Sequence, residues 1–285
     1  MLYWAGTQLT SRAPCNYSSA RSPIHERKSE KVIGKFTTYS DLYKFIRFDR
    51  RDGILQVTIH NQGRSAVWSA SPDGIHAELG DAFYRVGRDP ENRVVIFTGT
   101  GDEFLTQLDM SGGEEINTQY WDRIYKEGKD LLQNLLEIEV PIIGAVNGPA
   151  FIHAELLTLS DIVIASDRAA FADKAHGPGG VVPGDGVHVW WPMLLGPNRA
   201  RHFLLTGEEI SAEEGKRLGF VAEVVPHADM LNRAWEVARE LLAKPPLMLR
   251  YTRAAMTQHI KRRMLDDLGY GLMLEGMGIF SLLGK

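Results

Sequence analysis

Residues 144–188, GAVNGPAFIHAELLTLSDIVIASDRAAFADKAHGPGGVVPGDGVH, decide the fold and carry most of the candidate chemistry. The apolar run 141–146 has strand character and ends at a turn, and a second strand candidate covers 161–165. The stretch closes on 176–186, which holds too much glycine and proline for regular structure. Side chains able to transfer protons follow these strands and occupy the loop: His153, Glu155, Asp173, His176, Asp185 and His188. Because α/β folds place active sites at strand ends and in the loops beyond them, the stretch predicts such a site.

The composition excludes several classes of partner. With 44% hydrophobic and 24% charged residues, the 285-residue chain has the composition of a globular protein that buries a full core. Its formal net charge of −4 gives no reason to expect nucleic acid or an acidic membrane surface as a partner. No apolar run approaches the roughly 20 residues needed to cross a bilayer. The single cysteine, Cys15, excludes an intramolecular disulfide and favours a reducing compartment, so we predict a cytoplasmic location.

Three parts follow one another along the chain. The first 35 residues hold six Lys or Arg against two acids and show no clear period, so we interpret residues 1–38 as a mobile basic extension. An organelle transit peptide or a non-native start are alternatives for it. Residues 39–227 alternate strand and helix patterns, which predicts an α/β core, and residues 228–285 are helical.

The periodicity of apolar residues predicts individual elements within these parts. A hairpin covers 43–61, a polar loop with Trp68 covers 62–71, and a helix starts at Ser71-Pro72. The remaining predicted strands are 93–98, 141–146, 161–165 and 220–225, and the remaining predicted helices are 114–137, 187–195, 197–206, 211–218, 228–243, 246–259 and 261–280.

Several common motifs are absent. The sequence has no GxxxxGK[ST], HExxH, GxSxG or CxxC. Gly99-Thr-Gly101 begins like a dinucleotide-binding loop, but Phe104 stands where the third glycine belongs, so we reject a Rossmann fingerprint. No histidine and carboxylate pattern has the usual zinc spacing. We therefore predict no metal and no organic cofactor, although His153, His176 and Asp185 could meet in space, which leaves a metal site as the alternative.

Landmarks spread over residues 40–260 resemble the crotonase (enoyl-CoA hydratase/isomerase) superfamily. They are Gly99–Phe104 with Leu108-Asp109, Pro141–Gly148, Glu155, Ser160-Asp161, Phe171, Pro183-Gly184, Leu204–Gly207 and Gly219–Val225. The resemblance implies an α/β fold of the crotonase type, a spiral of ββα units with a C-terminal helical trimerisation region. It also implies an oxyanion hole of two backbone N–H groups, from Leu108 and Ile152, and assembly as a homotrimer or as a hexamer of two trimers.

The departures from the common family pattern point to one branch. The glycine triplet of the second oxyanion loop is replaced by 151–153, the second glutamate of the hydratases by His176, and a small residue by Asp185. These changes resemble the β-diketone hydrolase, or 6-oxocamphor hydrolase-like, branch. That resemblance implies catalytic roles for His153, His176 and Asp185, and substrate contacts for Trp68, Glu275 and Glu155.

The loop between His176 and Asp185 is rich in glycine and proline, so it can fold back and bring the two side chains together. A carboxylate on one imidazole nitrogen makes the other a base for water at neutral pH. The spacing alone favours a surface histidine and a turn-forming aspartate. The family resemblance favours a catalytic pair.

The other candidates have structural alternatives as well. His153 and Trp68 are suited to bind a carbonyl oxygen, but either could simply pack in the core. Glu275 lies on the apolar stripe of the last predicted helix, unless that helix frays at the neighbouring glycines. Glu155 matches a hydratase acid, and support of His153 or of the loop is the alternative to its substrate contact. Asp173 and His188 are interpreted as structural residues.

The resemblance to this branch implies a hydrolase that cleaves the C–C bond between two carbonyls of a cyclic β-diketone. Water attack would give a tetrahedral adduct, and its collapse would release an enolate. An acyl-CoA hydratase, isomerase or thioesterase is the alternative enzyme, and a non-catalytic oligomeric scaffold is the alternative from another class.

Overall fold

The computed structural model describes residues 34–109 and 114–284. Most of the predicted extension, 1–38, therefore lies outside the described residues. Its last residues are folded, since Phe36–Thr38 forms a 3-10 turn and the Phe36 ring packs edge-on against Tyr39 with centroids 5.6 Å apart. The folded part therefore begins before residue 39, earlier than predicted.

Strands and helices alternate along most of the described chain. The strands are β1 Ile46–Arg51, β2 Ile54–Ile59, β3 Ala66–Trp68, β4 Val94–Thr98, β5 Leu105–Leu108, β6 Ile142–Val146, β7 Ile162–Ser166, β8 Ala170–Phe171, β9 Ile210–Ser211 and β10 Glu223–Val225. The helices are α1 Ile75–Arg88, α2 Thr118–Glu137, α3 Glu155–Thr158, α4 Val187–Leu195, α5 Pro197–Thr206, α6 Ala212–Leu218, α7 Met230–Leu242 and α8 Pro246–Leu282.

A six-stranded sheet in the order β1-β2-β4-β6-β7-β10 forms the centre of the fold. The predicted hairpin is its antiparallel edge, with Asp52 and Gly53 at positive φ in the turn. All other pairs in this sheet are parallel, so the strands after β2 end at the same edge. The chain segments that leave this edge carry the candidate site residues.

A second layer of short strands lies beyond that edge. β3 pairs in parallel with β5, and β8 pairs with β9. Ala150 bridges the two pairs, because it forms isolated bridges to both Leu105 and Phe171. The loop predicted over 62–71 therefore contains a strand, and that strand fixes the backbone of Trp68.

The sheet separates two apolar clusters. Alternate residues of its central strands face opposite sides. One face, which includes Val94, Ile96 and Ile143, packs on α7. The other face, which includes Val95 and Phe97, packs against the larger cluster around α1 and α2.

Three predicted helix boundaries are wrong. α2 begins at Thr118 rather than at about 114, because the Asn117 side chain caps it by accepting from the N–H groups of Gln119 and Tyr120. α1 begins at Ile75 rather than at Ser71-Pro72, because a turn closed by the Gly74 N–H and Ser71 O precedes it. The last two predicted helices are one, α8, of 37 residues. Its glycines lie in the helix without breaking it, because other side chains fill the space beside them. Within the described residues, no helix has the length and apolarity required to cross a membrane.

Candidate active site

His176 and Asp185 lie together, as the sequence predicted. His176 Nε2 is 3.3 Å from Asp185 Oδ2. The ring's Nδ1–H donates to Asp173, at 2.8 Å from Oδ1 and 2.9 Å from Oδ2. The predicted assignment of Asp185 as the orienting carboxylate is therefore wrong, because Asp173 fixes the ring and Asp185 faces the nitrogen left for chemistry.

His153, like His176, lies between Asp185 and a second carboxylate. Its Nδ1 is 2.6 Å from Glu155 Oε1 and 3.5 Å from Asp185 Oδ2. Glu155 therefore supports His153, which was the alternative to a substrate contact, and Asp185 Oδ2 lies near both imidazoles. His153 has a φ of 50°, a left-handed conformation that favours glycine. The turn after β6, for which the family resemblance implied a glycine triplet, thus contains a strained histidine.

Trp68 packs directly on His153. The ring centroids are 3.8 Å apart with an interplanar angle of 38°. Trp68 is the last residue of β3 and is 5% exposed. The structure therefore brings Trp68 and His153 together, at the end of one short strand and in the turn after β6.

Glu275 reaches the same cluster from α8. Its Oε1 is 3.8 Å from His176 Nε2, and its Oε2 has no hydrogen-bond partner among the described residues. The helix can approach because a Cβ built on Gly184 would lie 2.2 Å from Gly271 O, so only glycine fits there. Glu275 is buried and α8 continues past it, which excludes the alternative of a frayed, solvated end.

The charges of this cluster shift its pKa values in opposite directions. Burial opposes protonation of His176, but Asp185 and Asp173 outweigh it and hold the His176 pKa well above its usual range. Burial raises the pKa of Asp185, yet the neighbouring His176 and His153 lower it overall. For His153, burial is likewise outweighed by Glu155 and Asp185, and its pKa is raised. Both imidazoles are thus stabilised in their charged form by buried carboxylates.

The pKa values of two other carboxyl groups are raised, in contrast to that of Asp185. Burial, followed by the charge of Asp185, raises the pKa of Glu275 to about 8. Burial also raises the pKa of Glu155, although His153 acts against it. At neutral pH the site therefore combines an ionised aspartate, Asp185, with a protonated glutamate, Glu275. Carboxyl groups with separated pKa values are typical of acid–base catalysis.

The two predicted oxyanion donors differ in availability. The Ile152 N–H donates to Leu105 O at 3.1 Å. The same carbonyl also accepts a hydrogen bond from the Phe151 N–H at 2.8 Å. Ile152 is therefore wrong as a free donor. In the β3-β5 pair, Asp109 donates to Trp68 O, so the preceding N–H, of Leu108, faces away from β3. Leu108 stays a prediction.

Two groups of three side chains have the spacing of a cation site. The ligand atoms of His153, Glu155 and Asp185 lie within 4.8 Å of one another, and so do those of His176, Asp185 and Glu275. The same proximity suits proton exchange through hydrogen bonds. The predicted independence from metal and cofactor stays a prediction.

The interpretation of Asp173 as a purely structural residue is wrong, because it binds the ring of His176. It is 4% exposed and three residues before His176, a spacing that could have indicated the pair. His188 lies near Asp185, whose pKa it lowers slightly, and Nε2–H donates to Asp267 O at 3.2 Å. That contact joins α4 to α8, so the structural interpretation of His188 fits its position.

Comparison with known proteins places this geometry in a family. The family model for enoyl-CoA hydratase/isomerase matches residues 49–272. The chain belongs to the enoyl-CoA hydratase/isomerase, or crotonase, family. It is 31% identical over 206 residues to a carnitinyl-CoA dehydratase of Citrobacter koseri, covering 72% of this chain and 77% of the relative. It is 28% identical over 232 residues to a probable peroxisomal enoyl-CoA hydratase of Arabidopsis thaliana, covering 79% and 84%.

Among solved structures, one resemblance is much stronger. A β-diketone hydrolase from the cyanobacterium Anabaena sp. PCC 7120, bound to (S)-3-oxocyclohexyl acetic acid, has 45% identity and a TM-score of 0.82. The match covers 87% of this chain and 97% of that one. An enoyl-CoA hydratase/isomerase from Mycobacterium paratuberculosis has 26% identity and a TM-score of 0.77, with 84% and 94% covered. The crotonase fold and the resemblance to the β-diketone hydrolase branch are thereby confirmed.

Proposed function

We propose that the protein hydrolyses the C–C bond between two carbonyls of a cyclic β-diketone and releases a keto acid. The observation that carries this proposal is the Asp173–His176–Asp185 arrangement with protonated Glu275 beside it. The Anabaena neighbour supports it, because its bound ligand carries a ketone and a carboxylic acid on one skeleton. Hydrolysis of a cyclic 1,3-diketone gives that combination of groups.

His176 is the base in this scheme. Because the carboxylates favour the imidazolium, the base is the minor neutral form of His176, in which Asp173 holds the Nδ1–H and Nε2 accepts a proton. It takes one proton from water while the oxygen adds to a substrate carbonyl. Asp185, 3.3 Å from Nε2, stabilises the imidazolium that forms. The buried carboxylates make this imidazole a stronger base than a free one.

Collapse of the adduct completes the cleavage. The C–C bond breaks, and the attacked carbonyl becomes a carboxylic acid group. The bonding electrons form an enolate on the second carbonyl of the same molecule. The His176–Asp185 pair returns the proton to the enolate carbon, so water has added across the broken bond. Glu275, protonated below a pH of about 8, is a hydrogen-bond donor for a carbonyl or enolate oxygen. His153 and Trp68 bind the attacked carbonyl.

One assay tests the proposal against both alternatives. Purified protein is incubated with a cyclic 1,3-diketone and, separately, with crotonyl-CoA, while keto acid release and hydration are followed. The proposal expects acid release that His176→Ala and Asp185→Ala abolish without unfolding. Turnover of crotonyl-CoA alone would support the second candidate, an acyl-CoA enzyme like the curated relatives. No turnover of either substrate would support a non-catalytic scaffold. Dialysis against a chelator should leave diketone cleavage unchanged.

The assembly and location are also proposals. Along α8, apolar side chains lie exposed, among them Tyr251, Leu265, Tyr270, Met273 and Met277. Burying them between copies of the chain would remove a large apolar surface from water. We propose a homotrimer or a hexamer, which the mass measured by light scattering would test. The cytoplasmic location rests on the single cysteine and stays a prediction.

A further inference from the structure

The Trp68 ring contacts a second imidazole besides that of His153. His76 meets it edge to face, with centroids 5.4 Å apart and an interplanar angle of 63°. His76 is the second residue of α1 and is 5% exposed. Nothing in the acid–base cluster around Asp185 requires this histidine. Its surroundings show what holds it.

A chain of charged contacts fixes the His76 ring. Its Nδ1 is 3.1 Å from Glu127 Oε2, on α2. Arg123, one turn earlier on α2, donates from NH1 to both oxygens of Glu127, at 3.2 Å and 3.0 Å. The two histidines that touch the indole are thus held in the same way, each with a carboxylate on Nδ1, because Glu155 binds His153. A carboxylate in that position fixes the orientation of an imidazole ring.

The same network anchors the backbone that follows Trp68. The His76 N–H donates to Ser69 O at 3.3 Å. Arg123 NH1 donates to Ala70 O at 3.0 Å. Trp68 ends a strand of only three residues, so these contacts from α1 and α2 limit how far its indole can move.

We propose that His76, held by Glu127 and Arg123, is a positioning residue that keeps the Trp68 indole in place against His153. The inference rests on the proposed function for its catalytic consequence, because it makes the carbonyl-binding pair depend on a network outside the acid–base cluster. A displacement of about 1 Å in a substrate-binding group can lower activity by about 100-fold. His76 would act through Trp68 alone, and that requirement separates it from a residue that only stabilises the fold.

A double-mutant cycle tests this dependence. His76→Phe keeps an aromatic ring against Trp68 and removes the bond to Glu127. We expect it to lower kcat/KM for the diketone about 10- to 100-fold in the wild-type background. In a Trp68→Phe background the same substitution should have almost no further effect, since coupled residues are not additive. Equal losses in both backgrounds, or no loss in the wild type, would overturn the proposal.

The emission of Trp68 provides a readout that needs no turnover. An imidazolium close to an indole quenches its fluorescence, and His153 is stabilised in that form. The difference in emission between each protein and its Trp68→Phe counterpart isolates the contribution of Trp68. This contribution should increase in Glu127→Gln, which keeps the His76 imidazole beside the indole but removes the carboxylate that holds it. An unchanged contribution overturns the positioning role even when the enzyme is active, whereas inactive wild-type protein overturns only the proposed function.

Asn134 offers a matched control. Its Nδ2–H donates to Gly80 O at 3.0 Å, so it also joins α2 to α1, but it does so away from Trp68. Asn134→Ala should leave both the Trp68 emission and kcat/KM close to wild type. Changes in this variant as large as those in His76→Phe would mean that any loosening of α1 against α2 disturbs the site, and would contradict a specific role for His76.

Discussion

Asp173 and His176 are joined twice through one carboxyl group. Asp173 Oδ1 accepts from the ring Nδ1–H of His176 at 2.8 Å and from its backbone N–H at 3.3 Å. The backbone bond fixes the turn that carries the histidine, and the ring bond fixes the side chain. A single residue therefore sets both the place and the tautomer of the proposed base.

Replacement of Asp173 by Asn should lower kcat strongly while the protein stays folded. An amide can offer its NH₂ group to Nδ1, which selects the wrong tautomer and leaves a proton on Nε2. We expect a loss of about 100- to 10,000-fold, the range for general-base catalysis. Steady-state cleavage of a diketone measures it. Asp167→Asn is the control, because Asp167 also accepts from a backbone N–H, that of His227, but lies outside the site. A Asp173→Asn enzyme as fast as this control would contradict the role.

Glu275 should make stability depend on pH. Its pKa is about 8 in the folded protein against an ordinary value of 4.5. Between these values the folded state keeps the proton and the unfolded state releases it. The stabilisation is therefore complete below pH 4.5 and is lost as pH rises towards about 8.

Glu275→Gln removes this titrating proton, so the stability of the variant relative to the wild type should increase as pH rises. Urea unfolding of both proteins at several pH values from 5 to about 9 measures the difference in free energy. The same substitution should weaken the fall in kcat above a pH of about 8, because the amide stays a donor. Parallel stability curves for the two proteins would show that Glu275 ionises in the folded state as it does in water.

The sequence was sufficient for the fold and for most of the site. Strand and helix periods located the central sheet, because burial on both faces imposes continuous apolar runs such as Val94–Thr98. The glycine- and proline-rich loop permits a contact between His176 and Asp185, but only the family resemblance paired them, since their spacing alone favours separate structural roles. Glu275 could be assigned only through the family resemblance, since its partners lie about 90 residues away in the chain.

The errors have a common physical origin. The strand β3 and the bond of the Ile152 N–H depend on contacts between segments that are distant in sequence. The role of Asp173 depends on which of two carboxylates accepts from His176 Nδ1. The period of apolar residues records burial but not hydrogen-bond partners. The three-residue strand β3 is too short to show a period, and only its pairing with β5 defines it.

At position 153 the glycine variant should be more stable than the alanine variant, the reverse of the usual order. Both substitutions lose the contacts with Glu155 and Trp68, so they differ chiefly in the backbone. At a φ of 50°, alanine retains a left-handed strain of about 1–2 kcal/mol that glycine does not have. We therefore expect His153→Gly to be more stable than His153→Ala in urea unfolding. On the exposed face of α2, Lys126→Gly should instead be less stable than Lys126→Ala by about 1 kcal/mol. The same order at both positions would mean that residue 153 is not strained.

Gly276 should resist substitution because Trp121 occupies the space beside it. A Cβ on Gly276 would lie 2.2 Å from Trp121 Nε1, and that N–H donates to Leu272 O at 3.0 Å. The indole cannot move aside without losing this bond, so Gly276→Ala should cost about 1–3 kcal/mol of unfolding free energy. It should also lower kcat, because the adjacent Glu275 shifts with the helix. Gly179→Ala is the control, since nothing lies within 4 Å of its Cβ. If both alanine variants unfold at the same urea concentration as the wild type, the contact between α8 and Trp121 does not hold Glu275 in place.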